Sequence, residues 1–320
     1  MKVKREGNMK RLDGFIDFNS LLGANLETLI KNGIVEDITN GLVISRYIIK
    51  IGEKNYFFKE CDYEEAITEL IVNEMLDYAR IRNIKYDLAC IDGIYGVISK
   101  DFKKEGYHYF NGDEILQEYK RGLRKQMSET EDKEFGEVLE EEYESMYYST
   151  SNVLEVIWHA LEYHFRDFEN RDSLVLKIMR QLCITHIKDM LILNPDRNST
   201  NWVIQENEKE ADLVPDFDHG ETFKDEKWSA LHINPLGEED VVDNTYKEFE
   251  KFIKWSDGSI DKVLVYLKSK LGMNNLDISI QKVEEKIGVP IHEDVKEEIR
   301  ESFKKHQIKL DEILEDDNER

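Results

Sequence analysis

Two of the four prolines in this 320-residue chain fall in short polar stretches that no regular helix or sheet accommodates. The first is Asn194-Pro195-Asp196-Arg197-Asn198-Ser199-Thr200-Asn201, and the second is Pro215-Asp216-Phe217-Asp218-His219-Gly220. Proline fixes φ and withdraws a donor, so both stretches read as loops of set shape. Their contents restrict the chain further. An aspartate, an asparagine five residues on, and an Asp-x-Gly seventeen residues beyond that are what a phosphoryl-transfer site asks of its catalytic loop. On this reading Asp196 orients the attacking hydroxyl, while Asn201 and Asp218 hold Mg²⁺ against nucleotide phosphates. Gly220 permits the tight backbone that follows. An Asp-x4-Asn pair taken alone is usually a turn, so its weight depends on what surrounds it.

Upstream, residues 42–59 read as a β-hairpin. Leu42 to Ile51 is rich in β-branched and aromatic residues, Gly52-Glu53-Lys54-Asn55 supplies the turn, and Tyr56-Phe57-Phe58-Lys59 returns. Asp62 is placed to cap a helix running to about Arg80. Two short strands follow, Tyr86–Ile91 and Tyr95–Ser99, around an Asp92-Gly93 turn. Beyond Phe102 the pattern turns helical: 113–127, 132–148, 153–168 with Trp158 and Leu161 inward, and 172–190 with Leu176, Met179, Leu182, Cys183 and Ile187 facing a core. Short strand-like pieces, Trp202-Val203-Ile204 and Leu213-Val214, interrupt the irregular centre. The chain is helical again from about Asn244, ending in a helix over 291–314. The expected architecture is α+β and two-lobed, with a small β-rich lobe over 1–102 and a larger helical lobe over 103–320.

Lys59 ends a strand whose neighbours are aromatic, so its stem can lie in apolar surroundings while its ammonium reaches the α- and β-phosphates of a nucleotide. Such a lysine needs a carboxylate on the following helix. Helix phase puts Glu74 on the apolar face among Ile67, Ile71 and Tyr78, whereas distance from Lys59 favours Glu69. His159 and His164 lie about 140° apart around their helix, which keeps them from sharing a metal. Both read as ordinary surface or core-edge histidines.

The formal charge of −24 argues against broad binding to nucleic acid or anionic membrane, both of which need clustered Lys and Arg. A nucleotide site survives that argument, because a local lysine and a divalent ion neutralise phosphate. The basic N-terminus has no apolar core and is not a secretory signal. Three scattered cysteines fit a reducing compartment, and the cytoplasm is the expected location.

The stretch from Lys188 to Trp202 resembles the catalytic segment of HipA-type kinases, which belong with the phosphoinositide-kinase-like branch of the protein-kinase fold. Pro215 to Phe223 resembles their metal-binding segment, and Tyr56–Lys59 with Ala66–Leu76 their lysine strand and glutamate helix. Gly96-Val97-Ile98-Ser99-Lys100-Asp101-Phe102 is similar to their interlobe linker, where backbone groups around Ser99 and Asp101 would meet adenine. The resemblance covers about residues 40–225 and favours Glu69 over Glu74. It implies ATP and Mg²⁺ as cofactors, Lys59 on the phosphates, Asp196 as catalytic aspartate, and Asn201 and Asp218 on the metal. Asn198 stands where that group commonly has histidine. Asn40-Gly41 offers one glycine in place of a glycine-rich loop, and the long N-terminal domain of full-length HipA proteins has no counterpart. The resulting expectation is a kinase acting on a protein serine or threonine, with room for a regulatory protein partner. A nucleotide-binding pseudokinase and a lipid or small-molecule kinase of the same fold stay open as alternatives.

Overall fold

The structure, a computed structural model, describes residues 11–12, 14–39, 44–129, 153–194, 197–223 and 261–316. Asp196, Asn40-Gly41 and the helix expected over 132–148 lie outside the described residues. The chain clusters into two compact units. The first takes Met1–Lys103, Asp218–Phe223 and Ser269–Gln307, and the second takes Lys104–Phe217, Lys224–Lys268 and Ile308–Arg320.

A seven-stranded sheet organises the first unit. Its strands are β1 (Arg11–Leu12), β2 (Phe15–Asp17), β3 (Val35–Asp37), β4 (Arg46–Ile51), β5 (Lys54–Glu60), β6 (Tyr86–Ile91) and β7 (Ile94–Lys100), in spatial order β1-β2-β6-β7-β5-β4-β3. All neighbours are antiparallel except β2 and β6. Both expected hairpins form. Gly52 (φ 64°) turns β4 into β5, and Asp92 (φ 51°) with Gly93 (φ 78°) turns β6 into β7. Two consecutive left-handed residues match the right-handed twist of the flanking strands. Asp92 also receives the Leu26 amide and the Asn19 side-chain amide, both at 2.6 Å, which fastens the N-terminal residues to the sheet. Those residues form two short helices, α1 (Phe18–Leu22) and α2 (Leu26–Lys31). Neither had a periodic signal long enough to read.

Helix α3 (Tyr63–Tyr78) is capped by Asp62, whose side chain accepts the Glu65 amide at 2.8 Å. Ten of its residues, from Ala66 to Leu76, are buried. Another helix of the same unit, Met273–Ile287, contributes a Lys282–Glu74 ion pair at 3.7 Å and a Lys286 hydrogen bond to the Tyr86 carbonyl at 2.7 Å.

In the second unit, α4 (Gly112–Glu129), α5 (Val153–His164) and α6 (Arg171–Ile192) share a core that includes Ile115, Ile157, Leu161, Val175, Ile178 and Leu182. Trp158 packs against that core half-buried. Leu176 does not face it: it is 41% exposed, on the outward face with Arg180 and Ile184. Three short antiparallel strands close this core: β8 (His108–Asn111), β9 (Val203–Glu206) and β10 (Ala211–Leu213). The Trp202 ring lies so close to Gly112 that a Cβ there would fall 2.2 Å from it. Among the described residues no helix is long and apolar enough to cross a membrane.

His164 lies at the core edge, against Phe110 and Phe165. Its side chain is 5% exposed and bonded at Nδ1 to Glu118 (2.9 Å) and at Nε2 to Glu206 (3.0 Å). Burial alone would push its pKa down, but the Glu206 and Glu118 hydrogen bonds outweigh burial and raise it. A raised folded value stabilises fully below the unfolded value of ~6.5 and loses that contribution as pH climbs through the folded one. The stability gap between wild type and His164→Gln should therefore be largest near pH 6 and shrink as pH rises. Urea unfolding at several pH values checks this, and a gap independent of pH contradicts it.

Gly96 makes the other sharp demand. A Cβ there would lie 2.0 Å from the Lys59 carbonyl oxygen, where β5 and β7 pair. Gly96→Ala should cost ~1–3 kcal/mol or more by overpacking, read as a lowered Tm.

Candidate active site

Lys59 lies one residue before the end of β5, and the next helix starts at Tyr63. So short a connection brings the first turn of α3 beside the lysine. Lys59 Nζ donates to Glu65 Oε1 at 2.8 Å and to Asp218 Oδ1 at 2.8 Å. Burial alone would push the ammonium pKa down, but the Asp218 and Glu65 carboxylates outweigh it and hold the value above that of ordinary lysine. Lys59 is therefore a fixed cation, with 14% of its side chain exposed.

The helix partner of Lys59 is thus Glu65, rather than Glu69 or Glu74. Glu74 points to Lys282, and Glu69 sits one turn beyond Glu65. The sequence held a signal for Glu65: Asp62 and Glu65 stand at the spacing of a capping box. Here the acid at the third helical position extends to Lys59.

Glu69 is 1% exposed, and neither of its carboxylate oxygens has a hydrogen-bond partner. Burial, then the Asp218 charge, push its pKa up to about 8; Lys59 and the nearby His219 backbone amide, outside good hydrogen-bond geometry, pull the other way. An unsatisfied buried polar group costs ~1–3 kcal/mol. A feature this unfavourable calls for a reason.

The Asp218-His219-Gly220 segment is shaped to reach Lys59. Asp218 adopts a left-handed φ of 60°, uncommon for a residue with a side chain. Gly220 passes so close to α3 that a Cβ would fall 2.2 Å from Glu65 Cγ. Its glycine is a packing requirement set by the same glutamate that holds the lysine. The segment is closed by a Thr222 amide bond to the His219 carbonyl (3.0 Å) and by Phe223 against Phe303.

Ser99 and Asp101 were expected where adenine would be met. Ser99 is a buried residue of β7, in the ladder between Phe57 and Tyr86. The Asp101 amide donates to the Asn55 carbonyl at 2.9 Å, and its side chain accepts the Lys103 amide at 3.0 Å. Both residues carry backbone and turn bonds in this structure.

In the second unit, the loop after α6 is anchored by buried charge. Asp189 accepts from Arg197 Nε (2.8 Å) and Nη2 (3.3 Å) and from the Asn194 amide (2.9 Å). Arg197, 2% exposed, also donates from Nη1 to the carbonyls of Asn201 and Phe217. Lys188, fully buried, forms ion pairs with Asp189 at 2.9 Å and Asp216 at 3.1 Å. One guanidinium thereby ties the helix end, the loop around Asn201 and the residue before Asp218. Asn201 is 6% exposed and its Oδ1 receives the Thr200 hydroxyl at 3.4 Å. Sequence reading missed the roles of Lys188 and Asp189. The hint was a pair of opposite charges set into an apolar helix end, Met190-Leu191-Ile192.

The fixed lysine, its glutamate, the aspartate of an Asp-x-Gly segment and the α+β architecture define a kinase-like fold. Across 92% of this chain and 94% of the other, the structure superposes on the Helicobacter pylori proinflammatory kinase CtkA, with TM-score 0.50 and 15% identity. A second likeness, TM-score 0.42 and 12% identity over 88% of this chain and 66% of the other, is to HipA of Shewanella oneidensis MR-1 in complex with HipB and operator DNA. The expectation of an α+β, kinase-like core holds at the level of fold, on the likeness to CtkA. No protein-family model and no curated protein sequence matches the chain.

Removing Asp189 would leave Lys188 and Arg197 buried with too little negative charge. Asp189→Ala should cost ~3–5 kcal/mol, measured by urea unfolding. A loss under ~1 kcal/mol would show that the network does not anchor the loop.

Proposed function

We propose that this protein is an ATP- and Mg²⁺-dependent kinase that transfers the γ-phosphoryl group to a protein serine or threonine hydroxyl. The observation that carries the reading is Lys59 held at 2.8 Å by both Glu65 and Asp218, residues that reach it from the next helix and from 159 positions along the chain. An isolated lysine at a strand end is usually a surface residue. One fixed by a helix carboxylate and by the aspartate of an Asp-x-Gly segment is placed to bind nucleotide phosphate.

The donor set suits the cofactors. Lys59 supplies positive charge for the α- and β-phosphates, and Asp218 supplies a hard carboxylate oxygen for Mg²⁺. Asn201 supplies an amide oxygen to that metal, and Asp196 orients the substrate hydroxyl; these two roles rest on loop spacing and on the resemblance to HipA-type kinases. Among the described residues no three His, Cys, Asp or Glu side chains converge as a metal-ligand set. A Mg²⁺ ion held by few protein oxygens keeps waters and takes its remaining oxygens from phosphate. When bound, the metal neutralises charge on the transferring group. The protein's own contribution is position and fixed charge, which a loose phosphoryl-transfer transition state requires. In this reading residues 1–102 form the nucleotide lobe, with adenine near Ser99 and Asp101, and 103–320 the catalytic lobe. The charge of −24 favours a protein substrate in the cytoplasm over nucleic acid or membrane.

Asp196→Ala and Asp218→Ala should each abolish ATP turnover, Asp218→Ala with a lowered Tm because Lys59 loses one of its two carboxylates, and Glu65→Gln should reduce kcat roughly 10²-fold. Transfer of label from γ-labelled ATP into protein, lipid or small molecules of a lysate reads both activity and substrate class. Full activity in both aspartate variants would sink the kinase assignment, and label in lipid alone would replace the protein substrate.

A further inference from the structure

Three carboxylates of the first unit, Glu65, Glu69 and Asp218, act on one ammonium, that of Lys59. Glu65 and Asp218 each hold a hydrogen bond to it. Glu69 has none, although it is 1% exposed and both its oxygens are out of contact with solvent. A buried carboxyl with two unmatched oxygens lacks the partner that a cation would supply. Lysine geometry does not repair it, because Nζ already serves the other two.

We propose that Glu69 is a further protein ligand of the divalent cation that Asp218 holds. The inference rests on the kinase reading of Asp218 and reassigns Glu69 from lysine partner to metal ligand. Glu65 and Glu69 stand one turn apart on α3 and so share a face. Glu65 keeps Lys59 in place, while Glu69, one turn on, lies within reach of the Asp218 charge, whose segment packs against the same helix at Gly220. The Asp218 side chain is 27% exposed, which gives an ion a route to the pair. Two carboxylate oxygens suit Mg²⁺ or Mn²⁺, which complete their shells with water and phosphate. A glutamate that merely filled space in α3 would gain nothing from an ion.

The test uses the full chain and Mn²⁺ as probe, counting free ion by its electron paramagnetic resonance signal, with and without a non-hydrolysable ATP analogue. Wild type should bind Mn²⁺, and Glu69→Gln should weaken binding by about tenfold or more. Unchanged affinity in Glu69→Gln, with affinity lost in Asp218→Asn, overturns the role of Glu69 and leaves the kinase reading standing. Unchanged affinity in both variants removes the metal role of Asp218 as well. If Glu69→Gln does not fold, hydrogen exchange of wild type decides: Mn²⁺ should slow exchange across residues 63–78, and no slowing there overturns the proposal.

Discussion

The ion pairs around Lys59 set the terms for the first unit. A cation with little solvent access is unfavourable by itself, because burial disfavours the charged form. Two carboxylates at 2.8 Å reverse that balance. Satisfying both requires three pieces of backbone to approach one point. Gly96 lets β7 pair against the lysine's own strand, Asp62 starts α3 close enough for Glu65 to reach back, and Gly220 lets the Asp218 segment pass α3. The glycines and the cap have one shared purpose: to let charged groups meet where larger side chains would keep them apart.

The second unit solves a different problem with the same means. Its loop after α6 is irregular backbone, and short irregular segments fray unless something else holds them. Asp189 and Arg197 supply that hold from inside the protein, with the guanidinium spanning carbonyls of Asn201 and Phe217. Arginine suits this place because its planar fork donates in several directions while staying charged. Lys188, by contrast, serves as a point charge between Asp189 and Asp216.

How much of this could be read from the sequence depends on whether the signal was local. Hairpins at 46–60 and 86–100 and the helix capped by Asp62 came through because alternation, turn glycines and a cap lie within a few residues of one another. The small elements before residue 38 did not, since α1 and α2 are too short to show a period. Leu176 was misplaced because a leucine scores as apolar wherever the helix points. The choice of Glu69 over Glu74 missed Glu65 for another reason: helix phase and the number of intervening residues say which side a residue faces, but not where the helix begins relative to the lysine. Asp189 and Lys188 were overlooked because two adjacent opposite charges on a helix read as a solvated pair, and only the burial of that helix end makes them internal anchors for Arg197 and Asp216.

The division of the chain has a bearing on how it is made. Residues 218–223 and 269–307 belong to the first unit although much of the second is encoded before them. A ribosome releases the seven strands and α3 long before it releases Asp218, the partner of Lys59, or the helix at 273–287 that supplies Lys282 and Lys286. During synthesis the sheet must therefore exist without these contacts, with Lys59 short of one of its two carboxylates and Glu74 short of its lysine. Contacts of such long sequence separation form late and slowly. The interval between release of residue 103 and residue 307 is when the nascent chain is most exposed to chaperones, proteases and misassembly.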